Sequence, residues 1–235
     1  VVSVSRVSLV VSVYSDNASA YLVRLPFIFI ISFVFVALVG VFPVGAFECA
    51  CPMPAGKKLQ ANGSLSAMVI FAQFAGESAG VSAPSWSADL FDASVPGSFS
   101  HFYNEMSGGR IEVDGGVLPA RYSSSNSAEA YTAEEVGALG KYGQFNLEIL
   151  RQADADTDFG AFDNDGPDGL PNSGDDDGYV DIVFINLHTV PRDFFIATAT
   201  GLASLGLDSD YISDDAAAGG GSVRVRSRFN GFGGT

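Results

Sequence analysis

Between Asp154 and Asp181 the chain places ten aspartates in 28 residues (DADTDFGAFDNDGPDGLPNSGDDDGYVD), and no Lys or Arg occurs between Arg151 and Arg192. Like charges at that density repel unless water or a bound cation neutralises them. Any fold of this chain must therefore hold the stretch in solvent or wrap it round an ion. Aspartates at alternating positions, with glycines between them, suit calcium, which takes ~6–8 oxygen ligands and needs a tightly turning loop to present them. Asp163-Asn164-Asp165-Gly166-Pro167-Asp168-Gly169 has that density, and Asp175, Asp177 and Asp181 repeat it. The spacing is not that of an EF-hand, because Pro167 stands where the third ligand should be and no Glu follows at the twelfth position. Asp163, Asp165, Asp168, Asp175, Asp177 and Asp181 are the candidate calcium ligands, against the alternative of a solvated polar loop. Asp181 opens the strongest strand of the sequence, so it could tie the loop's cation to the core.

The wider charge balance points the same way. Twelve Lys and Arg face 27 Asp and Glu, a formal net charge of −15. A nucleic-acid partner is excluded, since phosphate neutralisation needs clustered basic residues. With 47% hydrophobic residues, the chain has enough apolar surface to fold. Part of that surface is the uncharged run Leu25 to Phe42, which is preceded by Arg24 and followed by Val44-Gly45-Ala46. Charged, apolar and small-residue regions in that order predict an export signal over 25–46, cleaved near Ala46, and a secreted product. An uncleaved membrane anchor is the competing reading, because ~18 apolar residues lie at the lower limit for spanning a bilayer. Membrane contact is expected only through this segment. Residues 1–24 read as an upstream extension, and residues 47–64 as a linker. Cys49 and Cys51 are too close for an unstrained mutual disulfide, and no His lies near them to complete a zinc site.

Residues 65–235 read as the folded part. Ala67 to Phe74 is a short apolar run bounded by glycines, the pattern of a buried strand. Ser98 to Met106 reads as a helix with Phe99, Phe102, Tyr103 and Met106 on a buried face, stopped by Gly108-Gly109. Arg110 to Asp114 alternates as a strand, and Gly115-Gly116 signals a hairpin or bulge. A helix is expected from about Gln144, after a break at Gly137, Gly140 and Gly143, with Leu139, Tyr142, Phe145, Leu147, Ile149 and Leu150 as core. Tyr179 to His188 is the clearest strand. Arg224, Arg226 and Arg228 alternate as on an exposed strand edge. No closing helix or strand is legible after Asp214, so the domain is expected to be interrupted. Strands alternating with helices imply an α/β (α+β) arrangement, a twisted mixed sheet flanked by helices.

Three blocks in this order resemble the immune inhibitor A-like family of secreted bacterial metallopeptidases (peptidase family M6). They are the strand Met68-Val69-Ile70-Phe71-Ala72-Gln73-Phe74, the block from Gly97 to Gly115 (GSFSHFYNEMSGGRIEVDG), and Asp158-Phe159-Gly160-Ala161-Phe162-Asp163-Asn164-Asp165-Gly166 leading to Gly178-Tyr179-Val180-Asp181-Ile182-Val183-Phe184-Ile185. The resemblance implies a zincin-like fold and the N-terminal portion of a zinc endopeptidase acting on protein or peptide substrates. In such enzymes a helix bearing H-E-x-x-H supplies two zinc ligands and a Glu that polarises the attacking water. This sequence has no HExxH and only two histidines, His101 and His188. Both read as structural, no catalytic residue is assigned in this chain, and the catalytic helix is expected beyond Thr235. Zinc is expected only in a full-length parent, and calcium in this chain. A non-catalytic, calcium-stabilised extracellular module is the alternative function.

Overall fold

The computed structural model describes residues 62–227, which fall within the unit Ala50–Thr235. The extension 1–24, the export signal 25–46, the two cysteines, most of the linker and Arg228 lie outside the described residues. Among the described residues no helix is long and apolar enough to cross a membrane.

A three-stranded parallel sheet organises the domain, in the order β2-β1-β3. Strand β1 (Gly63–Gln73) is central and buried from Leu65 onward, which explains its near-continuous apolar sequence, since a parallel strand covered on both faces has no wet side. Strand β2 (Ile111–Ser123) flanks it on one side and β3 (Ile182–Leu187) on the other, with Val69 paired to Val117 and to Phe184. Parallel neighbours need crossover connections. Helix α1 (Phe99–Ser107) lies in the β1 to β2 connection, and helix α2 (Tyr142–Asp154) in the β2 to β3 connection. A hairpin, β4 (Tyr211–Ala216) with β5 (Ser222–Val225), forms a second, antiparallel sheet. The architecture is mixed α and β, compatible with α+β.

The two faces of β1 are packed unequally. Met68, Ile70, Ala72 and Phe74 join Phe145, Ile149, Leu150 and Ala153 of α2 and Val223 and Val225 of β5 in the main core. The opposite face, Leu65, Ala67, Val69 and Phe71, is buried outside that cluster. There Ser100 Oγ of α1 donates to the Val113 carbonyl at 2.5 Å, and Phe99 meets Phe184 edge-on with ring centroids 5.3 Å apart.

Several sequence expectations are corrected here. Helix α1 forms where expected, with the Ser98 side chain accepting from the His101 N–H and Gly108 in the left-handed conformation at its end. Its buried residues are Ser100 and Ser107, however, while Phe102, Tyr103 and Met106 are exposed, Met106 by 70%. Small hydroxyl residues let the helix approach the backbone of β2, and that turns the larger side chains outward. Gly115-Gly116 makes no hairpin, because β2 runs on through it. A Cβ on Gly115 would fall 2.1 Å from the Ala67 carbonyl oxygen, so close backbone contact requires glycine there. The register shift comes later, between Val117 and Arg121, around Pro119, a residue with no N–H to give a ladder. Helix α2 starts at Tyr142 rather than Gln144, and Leu139 is exposed. After Asp214 the chain does contain a strand: β5 closes the hairpin with Val223 and Val225 fully buried. Arg226 does not decorate an exposed edge, since its guanidinium lies 3.9 Å from the Tyr179 ring centroid and pairs with Asp177.

Candidate metal centre

The acidic stretch enters the core through aromatic residues. The short 3-10 turn Phe159–Phe162 buries Phe159 and Phe162, and Asp158 caps it by accepting from the Gly160 N–H at 2.8 Å. Asp163, Asn164 and Asp165 follow at once, and all three are buried. Asp181 arrives from the other direction, immediately before β3, with its N–H donating to the Phe162 carbonyl at 2.9 Å.

Asp163, Asp165 and Asp181 each bring a carboxylate oxygen within 4.8 Å of the others. One Asp181 oxygen, Oδ2, accepts from the Ser66 N–H of β1 at 2.7 Å and from the Asn164 N–H at 3.1 Å. It therefore links the central strand, the loop and the start of β3. Asp163 Oδ2 accepts from the Gly178 N–H at 2.9 Å. Its other oxygen, Oδ1, is buried with no partner among the described residues, as is Asn164 Oδ1. Asp163 is 0% and Asn164 8% exposed. Burial pushes the Asp163 carboxyl up to about 7, aided by the charges of Asp176, Asp177 and Asp165 and opposed by the Gly178 N–H. Asp181 is also pushed up to about 7 by burial, against the pull of the two backbone N–H groups it accepts, with Asp165 and Asp163 adding repulsion.

Unpartnered buried oxygens of this kind cost free energy, and three ionised carboxylates with oxygens within 4.8 Å of one another repel. A cation would relieve both. The donors are all carboxylate oxygens, which suits a hard cation such as calcium or magnesium better than zinc. This buried cluster could bind a metal ion.

The structure does not bring the other expected ligands into the cluster. Asp168 and Asp175 are exposed, and the Asp175 carboxylate accepts from the Asp168 N–H at 3.1 Å and from the Ser173 hydroxyl. The Ser173 hydroxyl holds the Asp175 carboxyl below the ordinary range. Asp177 Oδ1 accepts from the Tyr179 N–H at 3.0 Å, and its Oδ2 pairs with Arg226. Two neighbouring residues were not singled out by sequence. Asn164 shares the oxygen-donor chemistry of its neighbours, which its place between two aspartates could have signalled. Asp176 accepts from the Gly166 N–H at 2.7 Å and the Ser173 N–H at 2.6 Å, folding the outer loop back on itself.

No protein-family model and no curated protein matches this chain. The metallopeptidase resemblance thus rests on the order and content of the three blocks. His101, on α1, accepts from the Gly97 N–H through Nδ1 at 3.4 Å. His188, just past β3, is exposed, and its backbone N–H donates to the Ala72 carbonyl at 2.8 Å. Neither belongs to the carboxylate cluster.

Proposed function

We propose that residues 65–227 are a calcium-stabilised extracellular module, belonging to the N-terminal portion of a secreted zinc endopeptidase with a zincin-like fold. The observation that carries the calcium reading is the buried trio Asp163, Asp165 and Asp181, with the partnerless oxygens of Asp163 and Asn164 beside it. An ion there joins β1, the acidic loop and β3, so its work is to hold the fold together against unfolding and proteolysis. The peptidase reading is supported by the three resembling blocks and by their order. With no HExxH in the sequence, this chain supplies scaffold and no zinc ligands.

The test is a melt of the purified chain with calcium, with magnesium and with EDTA, run beside a casein digest. Calcium raises the melting temperature well beyond an equal concentration of magnesium, EDTA reverses the rise, and casein stays intact with or without zinc. An unchanged melt sinks the calcium reading and leaves a solvated loop. Zinc-dependent cleavage by this chain overturns its assignment as scaffold.

A further inference from the structure

On the face of the sheet away from the main core, Arg121 of β2 stands in register with Phe71 of β1. Its guanidinium carbon lies 5.6 Å from the Phe71 ring centroid. The Nε is buried with no hydrogen-bond partner, and among the described residues no carboxylate forms an ion pair with this side chain. An arginine without an acid is conspicuous in a chain carrying −15. Trp86 meets the same Phe71 ring edge-on, with centroids 5.7 Å apart and planes at 87°. It nevertheless leaves 68% of its surface exposed, and Val81 leaves 82%. These groups are held close to one another. The Arg121 N–H donates to the Val81 carbonyl at 2.8 Å, the Ala83 N–H donates to the Pro119 carbonyl at 2.9 Å, and Ser82 bridges Ala120. The segment from Val81 to Ala83 is thus strapped along the outer edge of β2, and the turn Ser85–Asp89 that follows carries Trp86 to the Phe71 ring.

We propose that Arg121, Trp86 and Val81 form a docking site for the C-terminal residue of a peptide: an α-carboxylate on the guanidinium, and an apolar side chain against Trp86 and Val81. Charge complementarity selects the ligand. The guanidinium is a planar, permanently charged fork suited to carboxylates, and it is stacked on an aromatic ring with no acid of the described chain to neutralise it. Exposed Trp together with Arg is also the residue pair that dominates binding energy at recognition surfaces. A terminal residue suits the patch better than an internal Asp or Glu, because its carboxylate and its apolar side chain leave the same Cα, as Arg121 and Trp86 meet at the same Phe71 ring. The site is independent of the cation cluster and of the peptidase reading.

Trp86 is the single tryptophan of the chain, so its emission reports the site directly. The full chain is titrated with acetyl-Ala-Ala-Leu bearing a free carboxylate, with the same peptide as its C-terminal amide, and with acetyl-Ala-Glu-Leu amide. The free acid is expected to shift Trp86 emission saturably, with an affinity about fivefold or more above either amide. Arg121→Met is expected to reduce the acid to the level of the amide, and Arg121→Lys to fall between. Equal affinity for acid and amide on the unaltered protein overturns the proposal, whether or not the variants fold. Preference for the internal Glu overturns the assignment to a chain terminus. Wild-type affinity in a folded Arg121→Met variant removes the guanidinium from the site.

Discussion

The inner and outer parts of the acidic stretch have nearly the same composition and opposite environments. Asp163, Asp165 and Asp181 are buried, whereas Asp168 and Asp175 stand in solvent and Asp177 is half-buried against Arg226. The difference arises from what adjoins each group in the chain. Phe159 and Phe162 are buried immediately before Asp163, and Val180 and Val183 are buried on either side of Asp181. Burying those apolar side chains draws the neighbouring carboxylates out of water, at a cost that they do not bear when ringed by Pro167, Leu170 and Pro171. In the outer part each carboxylate finds local N–H and hydroxyl partners, so it is satisfied without an ion. Carboxylate density therefore does not set the inner group apart here; burial with oxygens left over does.

The comparison breaks most severely at Asp181. Replacing it with Ala removes the acceptor for the Ser66 and Asn164 N–H groups together with one corner of the cluster. In calcium this should lower stability by on the order of 3–5 kcal/mol, as for other losses that leave buried groups unpaired. Asp181→Asn separates the two contributions. The amide oxygen still accepts both N–H groups while the charge disappears, so the EDTA-treated variant is expected to melt above the EDTA-treated parent and to lose the calcium shift. If Asp181→Asn keeps a full calcium shift, the inner carboxylates do not hold the ion.

The second test uses pH. Burial pushes Asp163 and Asp181 up to about 7 in the folded chain, well above the ordinary 3.8 of an aspartate. Between those two values the folded state keeps protons that the unfolded state has released, so the contribution of these two groups to metal-free stability is fully present below about pH 4 and is lost as the pH rises through 7. The slope is roughly 1.4 kcal/mol per pH unit for each proton retained. Calcium reverses the trend, because it binds the ionised carboxylates. The calcium-induced rise in melting temperature is therefore expected to be larger at pH 8 than at pH 5, and EDTA-treated protein to melt higher at pH 5 than at pH 8. Asp181→Asn should flatten both dependences. Parallel pH profiles with and without calcium would mean that the inner group is not a cation site.

How much of this was legible in the sequence follows from the same contrast. Strand β1 was readable because a parallel strand buried on both faces appears as an unbroken apolar run, β3, a partly exposed edge strand, because of its β-branched and aromatic residues, and α1 because Ser98 and Gly108 mark its ends. The facing of α1 was not readable. Its period of three and four identifies a stripe of Phe99, Phe102, Tyr103 and Met106, but only the contacts of Ser100 and Ser107 with β2 reveal that most of the stripe turns outward. Strand β4 was missed because Tyr211-Ile212-Ser213-Asp214-Asp215-Ala216 carries two adjacent acids, and it is held by its pairing with β5 and by Asp154, which accepts from the Tyr211 hydroxyl at 2.7 Å. For the candidate metal centre, residue type and spacing supplied the stretch that contains the buried cluster and six candidates, three of which lie in it. Spacing carries no information on burial, so it could not distinguish Asp165 from Asp168, three residues apart and on opposite sides of the water boundary.

The smallest expected effect belongs to those outer candidates and gives the sharpest check on the comparison. Asp168→Asn combined with Asp175→Asn removes two charges from the exposed part of the loop, where Asp175 is already satisfied by the Asp168 N–H and the Ser173 hydroxyl. The melting temperature in calcium should be essentially that of the parent, and the calcium shift unaltered. A small loss of calcium affinity that disappears at high salt fits the outer carboxylates acting only through long-range attraction, which mobile ions screen. A loss that persists at high salt and matches that of Asp163→Asn would place the outer carboxylates on the ion. The loop would then have to close further in calcium than it does here, and inner and outer parts would form one site.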